Sequence, residues 1–538
     1  MHGSFGGGRT RDFAALAAAG IVCAVLWVAD AARPTFANGG GASSAADDVP
    51  RNYAMPFGTN PFAPGKATTT TGTFIAAGKF IASERCAQCH QDTHAQWLQS
   101  AHRNSFREPF YQKNVKDIQN QKGIEFTRHC ESCHNPPALF SGALTKDSTM
   151  PRPFDEEGVS CITCHSIASV ANAGIGAYVM AEPALLERED GTRMLDVTND
   201  QIKADVPAHK RAMMKPVTRT AQFCAACHKS QVPRELNDYK FIRTFAVYDE
   251  YQMSSFSQES PQPFYKRDFE SCQSCHMKPA TIVKPDVSAK NDTIKSHRWA
   301  AANTAIPYYY GWTEQVDAVR KFLENNGIGV DIFALWREGA RGPEQIPHEQ
   351  IPMVAGGSFA VAAGDTFTAD VVVTNRNIGH SFPPELRDFY EAWVEFIVSD
   401  DAGRELFHSG YLKPNGYLED SAHSYKSYLV DGNGQFIETH EIWKIRAIAQ
   451  NIQVNSGRSD MARYRFTIPP GFSGGVRLTA RVQYRRFIRP FQDYALEKQV
   501  DYPIVTMATA TLALRTGQNQ AAPPAAEPAL PPDWRRWN

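Results

Sequence analysis

Two stretches of the chain carry different patterns of apolar and polar residues. Between about 350 and 515 the pattern is strand-like: Thr366 to Thr374, Tyr390 to Ser399, Arg463 to Ile468, Val476 to Tyr484 and Ile504 to Leu514 are rich in Val, Ile, Thr, Phe and Tyr, several with clear alternation. Turn formers such as Gly403 and Pro469-Pro470-Gly471 separate them. Alternate side chains of a strand face opposite sides, so these runs predict a β-sandwich, with an immunoglobulin-like arrangement expected. Between about 75 and 345 helical periodicity is short and interrupted. It predicts brief helices, for example over Thr93 to Ser100 and Asp249 to Ser257, joined by long loops. The class expected is α+β multidomain, a mainly α and irregular domain followed by a β domain.

A third pattern lies at the start. Arg9 and Arg11 precede a mostly apolar run from Phe13 to Ala29, which Asp30, Arg33 and Pro34 end. That is the form of a signal peptide, assigned to 1–31, with Ala29-Asp30-Ala31 or Thr35-Phe36-Ala37 as cleavage sites. Left uncleaved, the same run would be an N-terminal membrane anchor. Residues 32–74 are rich in Gly, Ala, Pro, Ser and Thr and predict a flexible linker. The Ala/Pro-rich segment 516–538 predicts a disordered tail.

With 538 residues, 42% hydrophobic and 21% charged, the chain is globular and long enough for two or three domains. Its formal charge is −1 and it has no long basic block, so no nucleic-acid partner is expected.

The cysteines change the picture most. Ten of eleven fall into five identical frames: Cys86-x-x-Cys89-His90, Cys130-x-x-Cys133-His134, Cys161-x-x-Cys164-His165, Cys224-x-x-Cys227-His228 and Cys272-x-x-Cys275-His276. In the C-x-x-C-H motif of c-type haem attachment, two thiols tether the porphyrin and the adjacent imidazole takes one axial face of the iron. Zinc ribbons use C-x-x-C units in twos, and a disulfide scaffold needs no His after each pair, so neither accounts for five such frames. The cofactors expected are five covalent haem c groups, all within 75–345, whose core would then be largely porphyrin. Their roughly ten propionates would make the surface more acidic than the sequence charge implies. Cys23, the eleventh, reads as an apolar residue of the signal. Export agrees with haem ligation outside the cytoplasmic membrane, and the location expected is periplasmic or extracellular.

The sixth ligand decides whether a haem only passes electrons or also binds small molecules. Five further histidines lie in the same region, His94, His102, His129, His209 and His297, enough for bis-histidine ligation throughout. His129 directly precedes Cys130 and can serve only a neighbouring haem. His94 follows His90 by four residues, on the same face if helical, so it too would bridge to another haem. Met213, Met214 and Met277 are weaker candidates.

Several motifs resemble the multihaem cytochrome family typified by the tetrahaem electron carrier of ammonia oxidisers. They are Trp97-x-x-Ser100-x-His102 after the first frame, Phe223 before the fourth, the Tyr248 to Ser255 segment, and Met277 after the fifth. Ser296-His297-Arg298-Trp299 with Asn303 and Pro307 resembles the segment that supplies a distal ligand to the last haem in related proteins. The resemblance covers roughly 80 to 312. It implies electron carriage with His102 and His297 as distal ligands, and it allows one five-coordinate haem. A fifth frame and a whole β domain depart from the tetrahaem pattern. Asn377 to Pro384 resembles a loop in the C-terminal domains of other multihaem cytochromes, and the resemblance implies that His380 would approach a haem edge or ligate an iron; the residues alone favour a hydrogen-bonded turn histidine. His348, His408, His423 and His440 lack metal-like spacing.

The function expected is electron transfer with donor and acceptor proteins, the β domain serving in docking or self-assembly. Two alternatives stand beside it: an oxidoreductase acting on a small nitrogen or sulfur compound at one open haem, and a haem-wired structural subunit of a filament or surface complex.

Overall fold

The computed structural model describes residues 52–514 except 149, 153, 262–268, 339–347, 353–360, 385–386 and 497–499. The expected signal, Cys23 and the tail lie outside the described residues.

Part of 52–74, expected to belong to a flexible linker, is packed, chiefly 61–69. Phe62 and Ala67 are fully buried, Phe62 meeting Phe74 and Phe140 edge-on, and Thr68–Thr69 pairs in parallel with Tyr178–Met180. Composition alone hid these apolar anchors among Gly and Thr.

The frame-bearing region is built of short helices: α1 (Glu84–Ala87), α2 (Gln91–Leu98), α3 (Pro109–Lys122), α4 (Ile124–His134), α5 (Cys161–Ser166), α6 (Val206–Met213), α7 (Ala221–Ala225), α8 (Val247–Gln252), α9 (Cys272–His276) and α10 (Thr313–Leu323). Local chemistry sets their limits. Glu108 caps α3 by accepting from the Phe110 and Tyr111 amides, Pro109 takes its first position, and Gly123 at φ +112° ends it. Ser160 caps α5 through the Thr163 amide, and Ser271 caps α9 in a reciprocal box with Ser274.

The second region has two antiparallel four-stranded sheets. Its strands are β1 (Ile328–Glu338), β2 (His348–Pro352), β3 (Thr366–Asn375), β4 (Glu391–Asp400), β5 (Glu405–Ser409), β6 (Ser459–Thr467), β7 (Val476–Arg485) and β8 (Val505–Leu514). The sheet orders are β2-β1-β3-β6 and β5-β4-β7-β8. Buried faces of both share one core, including Val330, Leu335, Phe367, Val371 and Phe466 from the first and Val394, Phe396, Leu478, Val482 and Leu514 from the second. The α+β class is as expected, and all five strand runs are present within a few residues of their expected bounds. The boundary at 345 is not: β1 precedes it yet sits inside the first sheet, paired to β3 from Ile328↔Asn375 to Arg337↔Phe367. Its alternation of Ile328, Val330 and Ile332 runs directly on from α10, so composition marks no break.

The two regions are joined by apolar packing. Val115 and Ile118 of α3 meet Leu429, Trp443 and Ile445, while Phe110 meets Phe487, Phe491 and Tyr502. Helix α3 is therefore a shared wall.

Phe396 is fully buried and stacked on Tyr464, ring centroids 4.7 Å apart. Phe396→Ala is expected to destabilise the full chain by about 3–5 kcal/mol, against less than about 0.5 kcal/mol for the exposed Thr509→Ala, read by chemical denaturation with far-ultraviolet circular dichroism.

Candidate haem sites

Each frame occupies about one helical turn. The His90 amide donates to the Cys86 carbonyl at 2.9 Å and the His228 amide to that of Cys224 at 2.8 Å. Residues i, i+3 and i+4 of a helix share a face, so this turn aims both thiols and the imidazole to one side. Among the described residues no group of three or more His, Cys, Asp or Glu is gathered as a bare metal ion would require. The donor sets fit a porphyrin held at its edge and axis rather than a zinc ion.

The imidazoles are oriented by their Nδ1 atoms. His134 Nδ1 donates to the Ser105 carbonyl (2.9 Å), His165 to Met213 (2.5 Å), His276 to Ala300 (3.0 Å), His209 to Leu185 (2.7 Å) and His297 to Lys295 (2.8 Å). A carbonyl can only accept, so in each ring the proton is on Nδ1 and the lone pair on Nε2, the tautomer an axial ligand needs. Burial holds the His276, His297 and His129 rings down to about 4, hence neutral at pH 7.

Three pairs of rings face one another. His90 and His209 have centroids 6.5 Å apart with planes at 15°; His228 and His102, 6.2 Å and 75°; His276 and His380, 6.4 Å and 9°. A metal–nitrogen bond of about 2 Å plus roughly 1.1 Å to the ring centre, doubled, is about 6.2 Å. Planes that contain a common axis are compatible with any mutual angle. A contact stack is much closer, as Tyr111 on His134 at 4.0 Å illustrates.

Thiols of different frames are neighbours. Cys86 and Cys161, Cys133 and Cys227, and Cys224 and Cys272 lie within hydrogen-bonding reach, and Cys164 is close enough to Cys224 and Cys227 to sense their charge. All five frames thus form one connected group, in which the fourth adjoins the second, third and fifth.

The family model for cytochrome c554 and c-prime matches residues 85–166, which hold the first three frames. A penta-heme cytochrome c552 from Thermochromatium tepidum is similar in structure, with a TM-score of 0.50 at 17% identity over 81% of this chain and 99% of that one. These findings support a multihaem c-type cytochrome. A structural-genomics X-ray structure aligns over 37% of this chain and 95% of its own at 7% identity, and its TM-score of 0.17 carries no argument. No curated protein sequence matches the chain.

The expected distal histidines are distributed unevenly. His209 and His102 face frame histidines, as above. His297, which the resemblance assigns to the last haem, is instead buried where His165 and His90 are the histidines acting on it, and the ring opposite His276 is that of His380. His380, expected to be a hydrogen-bonded turn histidine, does bond locally, its Nδ1 donating to the Ser381 carbonyl (2.9 Å); that its ring faces His276 is visible only in three dimensions. His94 lies against Trp97, with its Nε2 buried and unbonded, and His129 is buried in α4 with an unbonded Nδ1. Met213 contributes its carbonyl to His165, and Met214 is exposed.

Two carboxyls stand out. Burial pushes Glu131, inside the second frame, up to about 8, with Arg152 opposing. Asp286 is also raised by burial, but hydrogen bonds from Ser288 and Thr93 outweigh this and hold it at about 2. Its Oδ1 lies 3.1 Å from His90 Nδ1, so the first frame has an anionic partner where the other frame histidines with an assigned partner have carbonyls.

An anion on Nδ1 enriches the ring and favours oxidised iron. Asp286→Asn is expected to raise the midpoint potential of one haem by on the order of 60 mV, a tenfold change for a one-electron couple, in a spectroelectrochemical titration, leaving the others in place.

Proposed function

We propose that the chain is an exported pentahaem c-type cytochrome that carries electrons through a connected group of closely spaced, mostly bis-histidine haems. The observation that carries this reading is the set of imidazole pairs spaced for one iron each, at 6.2–6.5 Å. The pairs read as axial sets are His90 with His209 and His228 with His102, with His297 beside His165 as a third. His94 and His129, each with a buried unbonded nitrogen, complete the candidate ligands. The thiols Cys86, Cys89, Cys130, Cys133, Cys161, Cys164, Cys224, Cys227, Cys272 and Cys275 are read as the tethers.

A haem attached through two thiols has its edge beside them, so frames whose thiols touch bring porphyrin edges together. Electron hopping needs this closeness. Two saturated axial positions leave no site for substrate, which favours carriage over catalysis. Donor and acceptor are read as redox proteins at the periplasmic or extracellular face. Among the described residues no helix is long and apolar enough to cross a membrane.

The purified full-length protein is expected to show an intact mass with five haems. Its electron paramagnetic resonance spectrum should be dominated by low-spin ferric signals that nitrite does not move, and carbon monoxide should not shift the reduced visible spectrum. A strong high-spin signal moved by these ligands would make it an oxidoreductase instead.

A further inference from the structure

We infer that His380, on the loop between β3 and β4, is the sixth ligand of the iron tethered by Cys272 and Cys275 and bound by His276, so that the β region completes a haem site of the cytochrome region. The inference rests on the reading that the fifth frame carries haem.

The ring geometry is the first support. At 6.4 Å and 9° the His276–His380 pair repeats the 6.5 Å and 15° of His90–His209, although the two pairs share no sequence context. Each ring is fixed by its own Nδ1, His276 on the Ala300 carbonyl and His380 on that of Ser381, so both present the Nε2 lone pair.

The loop is also held as a ligand loop must be. Fully buried Asn375, at the end of β3, donates to the carbonyls of His380 (2.8 Å) and Val454 (3.0 Å) and accepts from the Ile378 amide. Ser381 Oγ donates to Asn455, and Phe382 pairs with Val454. These bonds tie the segment into the β region on both sides of His380.

The same loop docks on the cytochrome region through α8. Glu250 accepts from the Ser381 amide (3.1 Å) and from Arg387 (3.2 Å), whose side chain is nearly fully buried. At Gly379 even a Cβ would meet Phe256 and Tyr251 at about 3.5 Å, so the backbone runs directly over these rings. The contacts bring the loop onto the aromatic wall beside the fifth frame, where the Phe322 ring lies 5.1 Å from that of His276.

A coordinate bond then crosses between regions, and the spin state of one haem reports whether the β region is docked. The test uses the full-length, haem-loaded protein. His380→Gly is expected to convert one haem in five to high spin, to create a carbon monoxide adduct absent from the parent, and to return to low spin on adding imidazole. His440→Gly, altering a histidine of the same region that meets Phe389 and Asp388, is expected to change none of these signals. Should His380→Gly fail to fold, His380→Met supplies a second reading: one haem rises in potential while the other four stay in place. A His380→Gly spectrum that stays fully low-spin, a high-spin signal that imidazole does not reverse, or unchanged potentials in His380→Met would overturn the inference. None of these results alters the parent spectrum on which the electron-transfer reading depends.

Discussion

Holding two facing imidazole rings apart at 6.2–6.5 Å is the constraint on which the rest of this molecule turns. Left to apolar packing alone, such rings would close to a stack like that of Tyr111 on His134. In two of the three pairs both rings are held by a partner at Nδ1: Asp286 and Leu185 for His90 and His209, and Ala300 and Ser381 for His276 and His380. The carbonyls of Leu185, Ala300 and Ser381 are therefore positioned groups of these pairs as much as the histidines are, and those of Met213 and Lys295 fix His165 and His297 in the same way. Helices shortened by Ser160 and Ser271 caps and by Gly123 suit this need, since loops between them can turn a carbonyl toward a ring.

The β region holds the larger apolar core, while the frame-bearing region has a smaller one of its own around Phe62, Leu139, Phe140, Ile162 and Met180. Its two sheets bury Phe, Val and Leu side chains on a common face, and α3 is clamped against it through Val115, Ile118 and Phe110. Because α3 leads into α4, which carries the second frame, the β region is packed within one helix of that frame. The sheets and the frame-bearing region therefore share apolar packing through α3.

Much of this was legible in the residues. C-x-x-C-H is a local code, and strand alternation is local too, so frames and the runs around Val371, Phe396 and Val482 could be read directly. Ligand pairing was not, because it is set by contacts between residues far apart in the chain. Five spare histidines matched five frames in number, yet that count says nothing about which rings meet. His380 lay outside it, in a loop whose Asn, Gly and Pro residues read as a turn. Phe62 and Ile328 show the same limit: each sits where composition suggested a linker or a boundary, and only burial discloses that it belongs to a core.

The wide separation of facing rings along the chain also bears on biogenesis. A polypeptide made from its N-terminus exposes His90 long before His209 exists, and His276 well before His380. Only the fourth frame meets a partner, His102, already synthesised. On the proposed pairings the facing rings can meet only as His209, His228 and finally His380 appear, the first frame before the fourth and the fourth before the fifth. The closing step waits for the loop after β3, so the pair of the fifth frame stays open until the chain has entered the β region.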